Sequence, residues 1–143
     1  MTDGGLRQLY RQHLKNAQWT AIETGATAGG VPDCEFCFPN GAQGWIENKQ
    51  TKHWAVKMRP AQIGWLMRRW RMGGRCFIGV RRADDEFWLL KGEYAMLLSQ
   101  SGLADTPNMY VWKGGPRNWD WQQIEMMLTG KLQVLPNGVI SKQ

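Results

Sequence analysis

Apolar residues recur at helical spacing near the start of the chain. Leu6, Leu9, Tyr10 and Leu14 predict a helix over residues 5–17, with Asp3 placed near its cap. Residues 19–24 then read as a short strand and the glycine-rich 25–30 as a loop. Residues 31–38 predict a second strand, closed by the turn signal Pro39-Asn40-Gly41. Residues 45–51 predict a third, so these two form a hairpin. Pro60 suits the first position of a helix running to about residue 72, where Gly73-Gly74 stops it. On that helix Ile63, Leu66, Met67 and Trp70 make one apolar stripe, while Arg68, Arg69 and Arg71 lie on or beside the opposite face. The apolar CFIGV at 76–80 predicts a central strand, and 87–90 its neighbour across the acidic turn Asp84-Asp85-Glu86. Helices are expected over 93–100 and 119–128, with a strand near 109–112 between them. A last turn signal in VLPNGVISKQ marks a terminal hairpin or a frayed end. This order predicts an α/β fold, a mixed β-sheet flanked by helices.

The chain has 143 residues, 43% of them hydrophobic, enough to bury a core as one domain over 1–143. Charge adds more. Between residues 48 and 83 stand ten Lys or Arg and no Asp or Glu, within a net charge of +6. Such a field attracts a polyanion, nucleic acid first, although a solvated basic face would have the same composition. No apolar run reaches the length of a membrane span, and the first residues lack an apolar signal segment, so a cytoplasmic protein is expected. Three cysteines argue against a disulfide framework.

Two candidate chemistries share one stretch. Cys34 and Cys37 have the C-x-x-C spacing of a zinc or redox pair. Side chains three apart on a strand point to opposite faces, however, and no second ligand pair exists, so packed thiols are the expected state. The same alternation puts Glu47 and Lys49 on one face, with Asp33 on the adjacent hairpin strand. Carboxylates on neighbouring strands suit a hard divalent cation. A lysine beside them can orient water or neutralise phosphate charge. The competing reading is an ordinary ion pair on a solvated strand.

The run Gly30-Val31-Pro32-Asp33, followed by Trp45-Ile46-Glu47-Asn48-Lys49, resembles the PD-(D/E)XK nuclease motif. Its spacer Pro39-Asn40-Gly41 is similar to the turn of phage junction resolvases, and Arg59-Pro60-Ala61-Gln62 to a helix-opening element of phage VRR-NUC-like members. The resemblance spans about residues 6–91 and implies a restriction-endonuclease-like core there, followed by a C-terminal helical extension at about 92–143. It implies Asp33 and Glu47 as acids holding Mg²⁺, or Mn²⁺ in its place, with the Asn48 carbonyl as a further ligand. Lys49 matches the catalytic lysine and Gln62 the supporting glutamine. Relatives often carry another acid in the first helix. Residues 4–22 hold none, which makes Glu23 the nearest substitute, with Glu35 a second candidate. The basic block then becomes a phosphate-binding surface made of Lys52, Lys57, Arg59, Arg68, Arg69 and Arg71.

The implied activity is endonucleolytic hydrolysis of DNA, with branched DNA such as a Holliday junction as substrate. A homodimer and a role in phage replication, recombination or repair are implied with it. The alternative is a non-catalytic DNA-binding protein on the same scaffold. Of the other residues near the motif, His53 is expected exposed and Trp54 packed. Trp65, Trp70 and Trp88 are expected in the core, with Trp112, Trp119 and Trp121 serving packing or an interface.

Overall fold

In the computed structural model, residues 3–142 are described except 24, 26, 27, 108 and 135–139, with backbone alone at 132–134 and 140–142. The first helix, α1, spans Leu6–His13. It is shorter than the periodicity predicts because the chain turns at Leu14, bringing Trp19 to stack on Tyr10 at 5.0 Å between ring centroids. Strand β1 is Gln18–Ala21 and β2 is Cys34–Cys37, while β3 runs Gln43–Thr51. Strand β2 is shorter than expected at its start, where Pro32 has no N–H to give the ladder. The expected loop over 25–30 lies partly outside the described residues.

Strands β2 and β3 pair antiparallel with Cys34 opposite Ile46, across a turn in which the Gly41 N–H bonds the Phe38 carbonyl. Helix α2, Pro60–Arg71, crosses to β4, Cys76–Arg82, which pairs parallel with β3. Strand β5, Glu86–Lys91, returns antiparallel, followed by a 3-10 turn at Gly92–Tyr94 and α3, Ala95–Ser101. Strand β6, Tyr110–Trp112, joins the far edge, and α4, Trp121–Thr129, starts from an Asp120 side chain that accepts the Gln123 N–H. Strands β7, Leu132–Val134, and β8, Ile140–Lys142, form a separate two-stranded sheet.

The main sheet is thus mixed and six-stranded, in sequence order β1 to β6, with β3 and β4 as its parallel pair. Alternation along β4 feeds two cores. Phe77 joins Leu6, Tyr10, Phe36, Phe87 and Leu128 on the face covered by α1 and α4. Ile78 and Val80 join Leu66 and Leu98 on the face covered by α2 and α3. Polar residues interrupt this burial in mid β3, where Glu47, Asn48 and Lys49 are all buried. Among the described residues no helix is long and apolar enough to cross a membrane.

Candidate active site

Burying three consecutive polar residues is costly unless each finds partners. The alternation of β3 sends them two ways. Asn48 shares the α1 face with Ile46 and meets Tyr10, whose hydroxyl donates to Asn48 Oδ1 at 2.7 Å. Asn48 Nδ2 in turn donates to Asp33 Oδ1 at 2.8 Å, and the Asn48 N–H reaches the same oxygen at 3.2 Å. Gly79, opposite Asn48 in the register, makes room for this chain: a Cβ there would lie 2.6 Å from the Tyr10 hydroxyl. Tyr10→Phe leaves Asn48 Oδ1 buried without its donor. The expected result is a loss of about 1–2 kcal/mol in denaturant unfolding, since the amide that holds Asp33 can turn.

Glu47 and Lys49 face α2. Gln62, in the first turn of that helix, donates from Nε2 to Glu47 Oε2 at 3.0 Å, while its Oε1 accepts from Lys49 Nζ at 2.9 Å. The same Oε1 takes the Arg59 N–H at 3.0 Å and so caps the helix. Lys49 Nζ also lies 3.7 Å from Glu47 Oε2. Gly30 is packed so closely against the start of α2, the turn that carries Gln62, that a Cβ there would run into the Ala61 carbonyl oxygen.

Continuing the β2–β3 register sets Asp33 opposite Glu47, and the two carboxyls feel each other. Burial raises Asp33 to about 6, against the pull of the Asn48 bond and the Arg7 charge. Burial and then the Asp33 charge raise Glu47 to about 7, with Lys49 opposing. Both acids open on a cleft of about 950 Å³, together with Asn48, Lys49, Gln62 and the basic Lys57 and Arg59.

Asp3 and Arg7 line the same cleft, a pairing missed from sequence. Asp3 Oδ2 accepts from Arg7 Nε at 2.8 Å and from the Arg7 N–H at 3.1 Å. Burial alone would raise the Asp3 carboxyl, but the Arg7 bonds outweigh it and hold it below its ordinary value. The signal was the i, i+4 spacing of Asp3 and Arg7 at the helix start.

Other candidates are dispersed. Glu23 is exposed and is not among the residues lining the cleft. Glu35 accepts from Gln43 Nε2 at 2.9 Å, away from the cleft. Cys34 is buried and Cys37 half-buried, on alternate faces of β2, and both are free thiols. The basic block also divides. Lys52, Lys57, Arg59, Arg68 and Arg71 are exposed. Arg69, expected on the polar face of α2, is half-buried with its guanidinium 4.3 Å from the Trp65 ring centre and 5.6 Å from that of Trp45. Arg75 binds the Met127 and Leu128 carbonyls at the end of α4, and Arg81 the Gly4 carbonyl. Trp65, Trp70 and Trp88 pack partly buried on the α2 core, Trp112 and Trp119 are buried opposite, and Trp121 packs half-buried beside them. Trp54, expected packed, is 46% exposed.

No protein-family model and no curated protein matches the sequence. Among solved structures, the Holliday junction resolvase Hjc of Archaeoglobus fulgidus superposes with a TM-score of 0.46 at 16% identity. The match covers 59% of this chain and 71% of the resolvase.

A cation can be tested against that cleft. Among the described residues no three His, Cys, Asp or Glu side chains are grouped to hold a metal by themselves. The donor set is instead two adjacent carboxylates, which is what Mg²⁺ takes where waters and substrate phosphate complete its shell. Burial raises both acids, and the Asp33 charge raises Glu47 further; a divalent cation would relieve such a site, so the residues fit.

Proposed function

We propose that the protein is a metal-dependent endonuclease that hydrolyses DNA phosphodiester bonds, with branched DNA as its preferred class of substrate. The observation that carries this is the Asp33–Glu47–Lys49–Gln62 cluster, two raised carboxyls and a buried lysine in one cleft with basic walls. Asp33, Glu47 and the Asn48 carbonyl would hold Mg²⁺, or Mn²⁺. When bound, the cation supplies Lewis-acid stabilisation of phosphate charge and lowers the pKa of a water. Lys49 Nζ, steered by Gln62 Oε1, places positive charge where a phosphate gains negative charge on attack. In the net reaction water adds its oxygen to phosphorus, the bond to one sugar oxygen breaks, and that oxygen takes up a proton. Lys57 and Arg59, on the approach to α2, would hold flanking phosphates, with Lys52, Arg68 and Arg71 farther along the strand.

Symmetric cutting of a junction would need two copies, hence a homodimer. The resemblance of the Pro-Asp and Glu-x-Lys elements supports this assignment and a place in phage recombination or repair within the host cytoplasm. A panel of labelled junction, flap, single-stranded and linear duplex DNA, with Mg²⁺, Mn²⁺ or EDTA, tests it. Cleavage with either cation, fastest on the branched forms, is expected. Tight binding with no product under any cation would instead identify a DNA-binding protein without catalysis.

A further inference from the structure

Trp54 follows β3 on the segment that leads to α2, and its neighbours Ala55 and Val56 line the cleft. Among the described residues it is one of three large apolar side chains left exposed, with Met72 and Met96. Unlike a ring merely adrift in water, it is clamped. The Arg82 guanidinium carbon lies 3.5 Å from the ring centre. Arg82 is itself fixed, from Nη1 to Glu86 Oε1 and from Nε to the His53 carbonyl, each at 3.0 Å. Trp88 meets the indole edge-on at 6.1 Å and is tied to the same Glu86 oxygen at 2.9 Å. The Trp54 carbonyl accepts the Leu103 N–H at 2.8 Å, which fastens the backbone as well. Elements beyond the cleft thus hold the ring in place while nearly half the residue stays open to solvent.

The surroundings select the ligand. Lys52 and Lys57, on either side in sequence, are exposed cations suited to phosphates. A smaller cavity of about 210 Å³, lined by His53, Thr51 and Gln50, shares Lys49, Val56 and Lys57 with the main cleft. Glu86, the acid next to the ring, is neutralised by Arg82. A fixed, half-exposed indole beside cations, whose chain neighbours Ala55 and Val56 line the cleft, suits a flat π-system carried on a polyanion. We propose that Trp54 is a stacking platform for an unpaired nucleobase at the lip of the cleft. The proposal rests on the nucleic-acid reading above and adds a preference for substrates with single-stranded character.

Affinity measured in EDTA, where no cleavage intervenes, separates the two ideas. The probes are a thymine oligonucleotide, an abasic oligonucleotide of equal length and charge, and a duplex. The wild type is expected to bind the base-bearing strand roughly five- to a hundredfold more tightly than the abasic one. Trp54→Ala removes that difference and leaves abasic and duplex affinities unchanged, while Trp54→Phe keeps most of it. Thermal melting confirms that both variants fold. If the wild type ignores the bases, or Trp54→Ala still prefers them, the platform is wrong while DNA binding stands. A wild type that binds none of the three probes would overturn the nucleic-acid reading itself, and the platform with it.

Discussion

Replacing Lys49 with methionine is expected to slow DNA cleavage by roughly a hundred- to a thousandfold, the usual cost of removing one preorganised charge from a reacting centre. The side chain is 9% exposed, so its ammonium acts in a poorly screened environment. Its position is set from α2 through the 2.9 Å bond to Gln62, and the 3.7 Å approach to Glu47 helps keep that carboxylate ionised. Methionine fills similar volume and removes a buried charge, so the fold should survive. Two effects then add: the phosphate loses its cation, and Glu47 loses the one charge that lowers its pKa. If the exposed Lys57, Arg59, Arg68 and Arg71 carry DNA affinity as proposed, that affinity should change little. Arginine should not rescue the rate, because a planar fork cannot reproduce a point charge in that space. Single-turnover cleavage beside a binding isotherm checks this. An unchanged rate in the methionine variant would remove Lys49 from the chemistry.

The metal-free protein is expected to lose stability as pH rises from about 4 to about 7. In the unfolded chain Asp33 and Glu47 ionise near the ordinary carboxyl values of 3.8 and 4.5, whereas the folded protein holds their protons to about 6 and about 7. Within that window the folded state binds more protons than the unfolded one, so unfolding becomes easier at each step upward. The effect is complete above pH 7. Each raised carboxyl contributes at most roughly 3.5 kcal/mol, and the two together less than the sum. Asp3, whose pKa is lowered, works in the opposite sense but below this window. Denaturant titrations of the wild type and of Asp33→Asn/Glu47→Gln therefore diverge, with the double variant flatter and more stable at pH 8. Mg²⁺ or Mn²⁺ should restore wild-type stability at pH 8 and do little at pH 5, where protons occupy the carboxyls. Equal pH profiles for the two proteins would count against a coupled acid pair.

The parts legible in the sequence are those set by short-range geometry. Period-two alternation in Trp45-Ile46-Glu47-Asn48-Lys49 placed Glu47 and Lys49 on one face, and Pro39-Asn40-Gly41 made the hairpin. Pro60 marked the start of α2, within one residue of its expected end. What stayed hidden depends on partners distant in the chain. The Asn48 side chain was passed over because its donor, Tyr10, lies 38 residues away and is brought near by α1. Arg75 looked like part of a basic surface, but its partners are helix-end carbonyls 52 and 53 positions on. Arg69 looked exposed on helical periodicity, but Trp45 of β3 joins Trp65 of its own helix in covering it. Asp3 was read as a helix cap, a role its bonds to the Gly5 and Arg7 amides support, with nothing local to show that it also faces Asp33 across a cleft.

The central question is whether this cleft hydrolyses phosphodiesters with a divalent cation. Nicking of supercoiled plasmid by wild type and Asp33→Ala, each with Mg²⁺ and with EDTA, measures that directly. Asp33 is chosen because it stands just before β2 and is only half-buried, so truncating it removes no apolar side chain from the core. The prediction is product from the wild type with Mg²⁺ and none in the other three reactions. Equal nicking by Asp33→Ala, or nicking by the wild type that persists in EDTA, would contradict it.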